Sequence, residues 1–249
     1  MRVIVPLPDR DFDVTEVAVP WHVLTQAGVD VVFATERAAR AAADPLLLEG
    51  VVFGKLGAAP DAIACYRALE GAPTFVAPIA WDAIDVASYD ALLLPGGHAP
   101  GMRQYLGSDR LQRKVAAFWA TKKPVAAICH GVLLLARATD PHGKSVLAGS
   151  RTTCLPKYME RLAYSLTFWK LGRYYRTYDA YVEDEVRAAL DDQKTQFVRG
   201  PTTLGARGTE HDDAAAFLVD DGRYLSARWP GDAWAFGRAL LAKLRAAGS

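Results

Sequence analysis

The segment KPVAAICHGVLLLA, residues 123–136, constrains the fold of this chain more than any other stretch. Residues 125–128 are short, apolar and preceded by a proline, which is typical of a buried parallel strand, and residues 132–138 have the leucine and alanine content of a helix. Cys129 would occupy the turn between them, above the sheet edge and beside the amides of a helix N-terminus. Such amides lower a thiol pKa and bind an oxyanion. The alternative is an inert buried cysteine.

The same alternation of strand and helix recurs along the chain. Strands are predicted at 2–7, 29–35, 89–94 and 125–128, and helices at 14–27, 109–121 and 132–138. This order predicts an α/β fold with a mostly parallel sheet covered on both faces. Ligands of such sheets bind beyond the carboxyl ends of the strands, so the loops that begin at Pro95 and Cys129 should be neighbours.

The rest of the chain predicts a hairpin, a closing helix and two insertions. Apolar runs at 215–219 and 223–227 flank an Asp-Gly turn, and residues 234–247 are typical of a helix. Residues 37–64 and 155–200 do not fit the alternation. We interpret both as insertions into a single domain spanning residues 1–249, with a lid as one role for them.

Composition argues against several classes of partner. The net charge of +1 and the pI near 7.7 give no general field that would recruit nucleic acid or a membrane surface. The three cysteines, at positions 65, 129 and 154, have neither the even count of a disulfide framework nor the spacing of a zinc site. No signal-peptide or membrane-spanning apolar run is apparent. We therefore expect a cytoplasmic protein.

Glu16, near the start of the first predicted helix, has two interpretations. In a parallel sheet it lies at the same edge as Cys129, where its carboxyl group could share a proton with the thiolate. Alternatively, the sequence from Asp13 to Glu16 has the form of a capping box, in which the glutamate only reaches back to a backbone N–H. The residues alone leave both interpretations open.

The loops around the cysteine supply further candidates. The ring of His130 could act as base or imidazolium partner of Cys129, and its backbone N–H could bind an oxyanion together with Gly97. Gly96 belongs to the same loop. His98 could line the same pocket, although a lone histidine in a glycine-rich loop is more often a local hydrogen bonder.

Two other patterns bear on ligands and partners. Asp9, Asp11 and Asp13 alternate but lack the glycine and distal glutamate of a calcium loop, so no metal site is predicted. Residues 168–176 interleave bases with aromatics, which superficially suits single-stranded nucleic acid but lacks a wider basic surface. We favour instead a subunit interface in a homodimer, or a pocket wall in which Arg173 or Arg176 holds a substrate carboxylate or phosphate.

Three features occur together in a way that resembles the ThiJ/PfpI superfamily, the class I glutamine amidotransferase-like group that includes the parkinsonism-associated deglycase. They are Glu16, LLLPGGHAPG at 92–101 and AICHG at 127–131. The PGGH form and the insertions look most like the chaperone and glyoxalase III branch. The resemblance implies a flavodoxin-like three-layer sandwich, a strained nucleophile at Cys129, and Glu16 hydrogen-bonded to it.

The chain also departs from the pattern of that branch. An aspartate that orients the histidine follows a Phe-Pro pair in the branch, whereas Lys157 stands in the matching place here. Glu160, one helical turn further on, could substitute for the aspartate. The His-x-Glu pair of glutamine amidotransferases is replaced by residues 210–212, Glu-His-Asp, so a glutaminase is not expected.

Three functional hypotheses follow. The first is a cysteine-dependent enzyme without a dissociable cofactor, acting on a small electrophilic carbon as a glyoxalase III-like or deglycase-like lyase, a hydratase, or an amidase-type hydrolase. The second is a redox-sensing or stress-response chaperone whose Cys129 is oxidised rather than turned over. The third is a biosynthetic accessory enzyme for one bulky metabolite, which the aromatic-rich insertion would accommodate.

Overall fold

The computed structural model describes residues 1–51, 56–203 and 205–248. Its strands are β1 (Arg2–Pro6), β2 (Arg10–Phe12), β3 (Asp30–Thr35), β4 (Ala42–Ala43), β5 (Ile79–Ala80), β6 (Ala91–Leu94), β7 (Val125–Ile128), β8 (Leu218–Asp221) and β9 (Tyr224–Ala227). Its helices are α1 (Val14–Gln26), α2 (Pro45–Glu49), α3 (Pro60–Leu69), α4 (Pro73–Val76), α5 (Met102–Leu106), α6 (Asp109–Ala120), α7 (Val132–Arg137), α8 (Lys157–Leu171), α9 (Val182–Ala188) and α10 (Ala233–Ala247). The strands and helices predicted before residue 139 all form, with ends shifted by no more than a few residues.

A seven-stranded sheet in the order β5-β3-β1-β6-β7-β9-β8 forms the centre of the molecule. Strand β1 pairs in parallel with β3 on one side and β6 on the other, and β6, β7 and β9 continue in parallel. Only β8 in this sheet is antiparallel, to β9. The strand order therefore reverses between β1 and β6, which opens a crevice at their carboxyl ends.

Helices cover the sheet in two groups. Helix α1 packs against α3 and α10, and α7 packs against α6 and α9. Strands β1, β6 and β7 are buried on both faces apart from Arg2, as their continuous apolar sequences require. The prediction of an α/β, flavodoxin-like three-layer sandwich with a mostly parallel sheet is confirmed.

The C-terminal hairpin forms with a shifted first strand. Strand β8 spans Leu218–Asp221 rather than the predicted 215–219. The reason is that the backbone N–H of Phe217 donates to the carboxylate of Asp232 at 3.0 Å instead of joining the ladder. Asp232 also forms a fully buried ion pair with Arg228 at 2.9 Å, and Arg228 donates to the carbonyl of Pro201 at 2.8 Å. These bonds fix both ends of segment 201–217 to the sheet.

The two predicted insertions contain helices of their own. Residues 37–64 include β4, α2 and the start of α3, while residues 52–55 of this insertion lie outside the described residues. The second insertion, 155–200, contains α8 and α9. A buried ion pair between Glu160 and Arg176, at 3.0 Å, ties α8 to the chain that follows it. None of the described helices is long and apolar enough to cross a bilayer.

Candidate active site

Cys129 lies on a strained turn between a buried strand and a helix. Strand β7 ends at Ile128, a single 3-10 turn spans Cys129–Gly131, and α7 begins at Val132. Cys129 itself has φ of +58°, a left-handed conformation that costs a non-glycine residue about 1–3 kcal/mol. The strand-turn-helix geometry predicted from the sequence is therefore present, and the turn holds the thiol at the sheet edge.

Two glycines let three segments of the chain meet at this turn. A Cβ atom on Gly131 would lie 2.2 Å from the carbonyl oxygen of Leu94, at the end of β6. A Cβ atom on Gly96 would lie 2.7 Å from the backbone nitrogen of His130 and 2.9 Å from Oε2 of Glu16. Any side chain at either position would push apart the segments that follow β1, β6 and β7.

The structure resolves the two interpretations of Glu16. The Asp13 side chain alone caps α1, by accepting hydrogen bonds from the backbone N–H groups of Thr15 and Glu16 at 2.8 and 3.1 Å. The Glu16 carboxylate turns away from the cap and accepts a hydrogen bond from the backbone N–H of Gly96 at 2.8 Å. Its other oxygen has no partner among the described residues. Glu16 thus belongs to the cysteine site and not to a capping box.

The carboxyl groups at this edge are buried and hold their protons strongly. Burial, and then the neighbouring charge of Asp13, raise the pKa of Glu16 well above its ordinary value. Burial likewise raises the pKa of Asp13 to about 6. These influences favour the uncharged form of Glu16, which can donate a proton.

The thiol of Cys129 behaves differently from the sequence-based expectation. Helix amides were expected to lower its pKa, and the backbone N–H of His130 does act in that direction. However, burial and the charges of Glu16 and Asp13 are the larger influences, and they raise the pKa of the thiol. Protonation of Glu16 removes the larger of these two electrostatic effects on the thiol. An uncharged Glu16 is therefore the condition under which the thiol ionises most readily.

His130 contacts the sulfur with its ring as well as its backbone. Its Nδ1 lies 3.5 Å from the Sγ atom of Cys129, and its Nε2 is buried without a partner among the described residues. Burial, first of all, lowers the pKa of the ring well below its ordinary value, so the imidazole is neutral. A neutral imidazole at this distance can accept the proton of the thiol.

No acid orients the His130 ring in the described part of the chain. The ammonium group of Lys157 is paired with Asp184 at 2.6 Å, and Glu160 is engaged by Arg176 and by the backbone N–H of Val182. Glu160 therefore does not take the place of the missing aspartate. The edge of His98 contacts the ring instead, with centroids 4.8 Å apart.

The amides of the two loops differ in availability. The N–H of Gly96 is already committed to Glu16. The N–H of Gly97 makes no hydrogen bond within the described ranges, and that of His130 points at the sulfur. Gly97 and His130 are therefore the two amides that remain for a developing oxyanion.

Three potential metal ligands come together at the site. One ligand atom each from His98, Cys129 and His130 lies within 4.8 Å of the others. Tetrahedral zinc bound at its usual ligand distances would bring such atoms to about 3.5 Å of one another and would require a thiolate. The widest spacing exceeds that of a formed zinc site, so the side chains would have to move closer together to coordinate such a metal.

A cavity of about 300 Å³ opens beside the cysteine. Its polar inner wall contains Asp13, Thr15 and His98. Its outer walls come from α8 and from two further groups of residues, and most of their side chains are apolar: Leu47, Val51 and residues 56–58, and Thr203, Gly205, Arg207, Trp229 and Pro230. Cys129 is fully buried and does not line the cavity, whereas His98 does and has a ring nitrogen within 4.8 Å of the sulfur.

The arginines proposed from the sequence occupy other positions. Arg173 is exposed and paired with Asp179, and Arg176 is held by Glu160, so neither lines the cavity. The arginine that does line it is Arg207, in segment 201–217. No sequence motif marks Arg207, since it reaches the cavity only through long-range contacts of this segment.

Comparison with known proteins agrees with this geometry. A family model described as ThiJ/PfpI family-like matches residues 7–201. An uncharacterized protein of Schizosaccharomyces pombe is 28% identical over 172 residues, which cover 66% of this chain and 62% of that protein. The chain thus spans less than two thirds of the length of this relative. A deglycase of Pyrococcus abyssi is 28% identical over 156 residues, covering 63% of this chain and 73% of the relative.

Solved structures show the same fold over the whole chain. Glyoxalase III of Candida albicans superposes with a TM-score of 0.68 at 17% identity, covering 98% of this chain and 97% of that one. Rapid Encystment Protein 24 kDa of Francisella tularensis gives a TM-score of 0.70 at 15% identity, covering 98% of each chain. With the family match over 7–201 and the turn at Cys129, the chain belongs to the ThiJ/PfpI superfamily.

Proposed function

We propose that this protein is an enzyme of the ThiJ/PfpI type in which Cys129 adds to an electrophilic carbon of a small molecule. One observation carries the proposal. A cysteine in a left-handed conformation has a neutral imidazole 3.5 Å from its sulfur and a buried carboxylic acid, Glu16, beside it. The strained turn therefore coincides with the place where the groups needed for nucleophilic addition meet. The deglycase and glyoxalase III relatives support a carbonyl carbon as the target.

The first step that these residues suggest is addition of the thiol to a carbonyl carbon. The thiol proton moves to Nδ1 of His130 in the same step in which the sulfur bonds to the carbonyl carbon and the carbon–oxygen π bond breaks, because the pKa values of the thiol and the ring oppose a prior transfer. The negative charge that develops on oxygen is met by the amides of Gly97 and His130. Glu16 then protonates this oxygen to give a hemithioacetal, and the imidazolium returns its proton to Glu16 directly or through water. Lyase, hydratase and hydrolase outcomes differ only after this intermediate.

Access to the sulfur is part of the proposal. Cys129 is fully buried and does not line the cavity, and His98 is the lining residue with a ring nitrogen within 4.8 Å of its sulfur. No hydrogen bond to the His98 ring occurs among the described residues; the ring only contacts those of His130 and Tyr175. We therefore expect the His98 side chain to rotate when substrate enters.

The test is turnover of methylglyoxal, small amides and isonitriles by purified protein. Cys129→Ala should reduce any measurable turnover by at least about a thousandfold. Glu16→Gln keeps an oxygen for the N–H of Gly96 but cannot donate the proton, so it should cost about a hundredfold in kcat. Cys65→Ala, at a buried cysteine of α3, is the matched control and should retain activity. Turnover that survives loss of the Cys129 sulfur would exclude the proposed nucleophile.

A second candidate function has a specific observation in its favour. Because the Cys129 sulfur is fully buried, a small oxidant reaches it more easily than a metabolite does. Two molecules of peroxide would convert the thiol to a sulfinic acid and release two molecules of water. Intact mass after mild peroxide would show two added oxygens in the wild type and none in Cys129→Ala. Selective oxidation without turnover of any substrate class would favour a redox sensor over an enzyme.

A further inference from the structure

The cavity is bounded by an apolar stripe of α8 that is not covered by the protein core. Met159, Leu162, Ala163, Leu166 and Thr167 recur at the spacing of one helical face, and all five line the cavity. Leu162 and Leu166 remain 43% and 46% exposed. A helix normally buries its apolar face against other elements. Here the face is turned to the cavity, where a ligand would cover it.

The wall opposite this stripe is apolar as well. It includes Leu47, Val51, Leu56 and Ala58, and Leu56 is 52% exposed. Large exposed apolar side chains grouped around a concave surface are typical of a ligand site. The volume of about 300 Å³ accommodates a molecule much larger than a two- or three-carbon aldehyde.

Arg207 supplies a cation on the rim of the same cavity. Its guanidinium lies over the ring of Trp229, 5.2 Å from the centroid, and the N–H of the adjacent Gly208 donates to the carbonyl of Gly231 at 2.8 Å. These contacts hold the arginine in place. Asp13, in the same lining, interacts with it electrostatically, but within the described ranges no carboxylate is close enough to form an ion pair with Arg207.

Two further polar groups in the lining have different roles. The Nε1–H of Trp229 is buried and has no hydrogen-bond acceptor among the described residues. Asp13, the other charged side chain of the lining, is occupied by the amides that it caps. Arg207 and the Trp229 N–H are thus unused donors of the cavity, in addition to the His98 ring, and both favour an anionic oxygen.

We propose that the substrate is an amphiphilic acid, with an apolar body against the α8 stripe, a carboxylate bound by Arg207, and its electrophilic carbonyl directed towards His98 and Cys129. This inference rests on the proposed function, because it names the molecule on which that cysteine would act. The binding it describes is nevertheless measurable without any chemistry.

The test uses decanoate and decanol as probes, titrated into the Cys129→Ala variant. Decanoate should bind more tightly than decanol, because only the acid can pair with Arg207. Arg207→Gln should weaken decanoate by about tenfold and leave decanol unchanged. Leu162→Asp should weaken both probes, and thermal melting would verify its fold. Arg161→Gln is the matched control, since Arg161 is exposed on α8 and does not line the cavity.

The titrations distinguish an anion site from an apolar cavity without one. Equal binding of acid and alcohol, or unchanged decanoate binding in Arg207→Gln, would overturn the anion site. Absence of binding by either probe would overturn the cavity as a ligand site. Because the variant used has no Cys129 sulfur, these outcomes are independent of whether the wild type turns over any substrate.

Discussion

The inner and outer walls of the cavity are built in opposite ways. The inner wall of Asp13, Thr15 and His98 is backed by the fully buried Glu16 and Cys129, and the segments after β1, β6 and β7 pack there through glycines that admit no side chain. The outer wall, formed largely by α8 and segment 201–217, presents half-exposed leucines and an arginine on a loop. The inner wall has one possible packing, whereas the outer wall tolerates substitution.

This contrast separates chemistry from recognition. The inner wall follows from the order of the parallel strands, which any protein with this fold shares. The outer wall comes from an insertion and a C-terminal loop, which can change without moving the strands. We infer that residues at the edge of the sheet carry out the reaction, and that α8 and Arg207 determine which substrate binds.

The largest expected effect is a difference in stability between a substitution in the inner wall and one in the outer wall. Gly131→Ala places a methyl group against the Leu94 carbonyl and should lower the free energy of unfolding by at least about 3 kcal/mol. Leu166→Asp, in the outer wall, should change it by no more than about 0.5 kcal/mol. Urea unfolding of both variants is the measurement. Gly149→Ala, where a Cβ atom meets nothing within 4 Å, is the control for the glycine. Equal losses in both walls would abolish the distinction.

The next effect concerns the pH dependence of the inner wall. Because burial raises the pKa of Asp13 to about 6, the unfolded chain releases this proton at a lower pH than the folded protein does. The stabilisation that this group provides is complete below about pH 4 and is lost as pH rises through about 6. Asp13→Asn retains a capping oxygen without the titration. Relative to this variant, the wild type should lose up to about 3 kcal/mol between about pH 4 and 7.

Urea unfolding of both proteins across this pH range measures the difference directly. The charged neighbours of Asp13 are Glu16, Asp44 and Arg207, and they are identical in the two proteins. A difference that stays constant with pH would show that the pKa of Asp13 is the same in the folded and unfolded protein, and would contradict the effect of burial on this group.

The smallest effect tests the boundary between the walls. His98→Ala removes a cavity-lining side chain within 4.8 Å of the sulfur, and should accelerate alkylation of Cys129 by iodoacetamide about tenfold. Peptide mass mapping distinguishes Cys129 from Cys65 and Cys154. His142→Ala, at an exposed loop position, should leave the rate unchanged. An unaltered rate in His98→Ala would mean that reagents reach the sulfur by another route.

Much of the inner wall could be predicted from the sequence, because its parts are local motifs placed by strand order. The turn at Cys129 combines a strand, a tight turn and a helix within fourteen residues, 123–136. The role of Glu16 could not be decided in the same way, since a capping box and a bond to Gly96 give the same local pattern. Only the tertiary structure brings that glycine to the carboxylate.

The outer wall was much harder to predict. Arg173 and Arg176 lie in a segment rich in aromatics, which suggested a pocket, but their charges are satisfied by Asp179 and Glu160. No comparable sequence pattern surrounds Arg207. It lines the cavity because the adjacent Gly208 donates to the carbonyl of Gly231, and because Arg228, which is paired with Asp232, donates to the carbonyl of Pro201. Contacts between residues so far apart in the sequence produce no hydrophobic periodicity from which they could be predicted.

The close approach at Gly96 also has a consequence for newly made protein. Glu16, Gly96 and Cys129 are far apart in the chain and meet only after β1, β6 and β7 have paired. Until then Cys129 is an ordinary solvated thiol with no neighbouring acid and no strained turn. The chemical behaviour of this one sulfur therefore reports that the whole central sheet has been completed, which makes its reactivity a probe of folding in the cell.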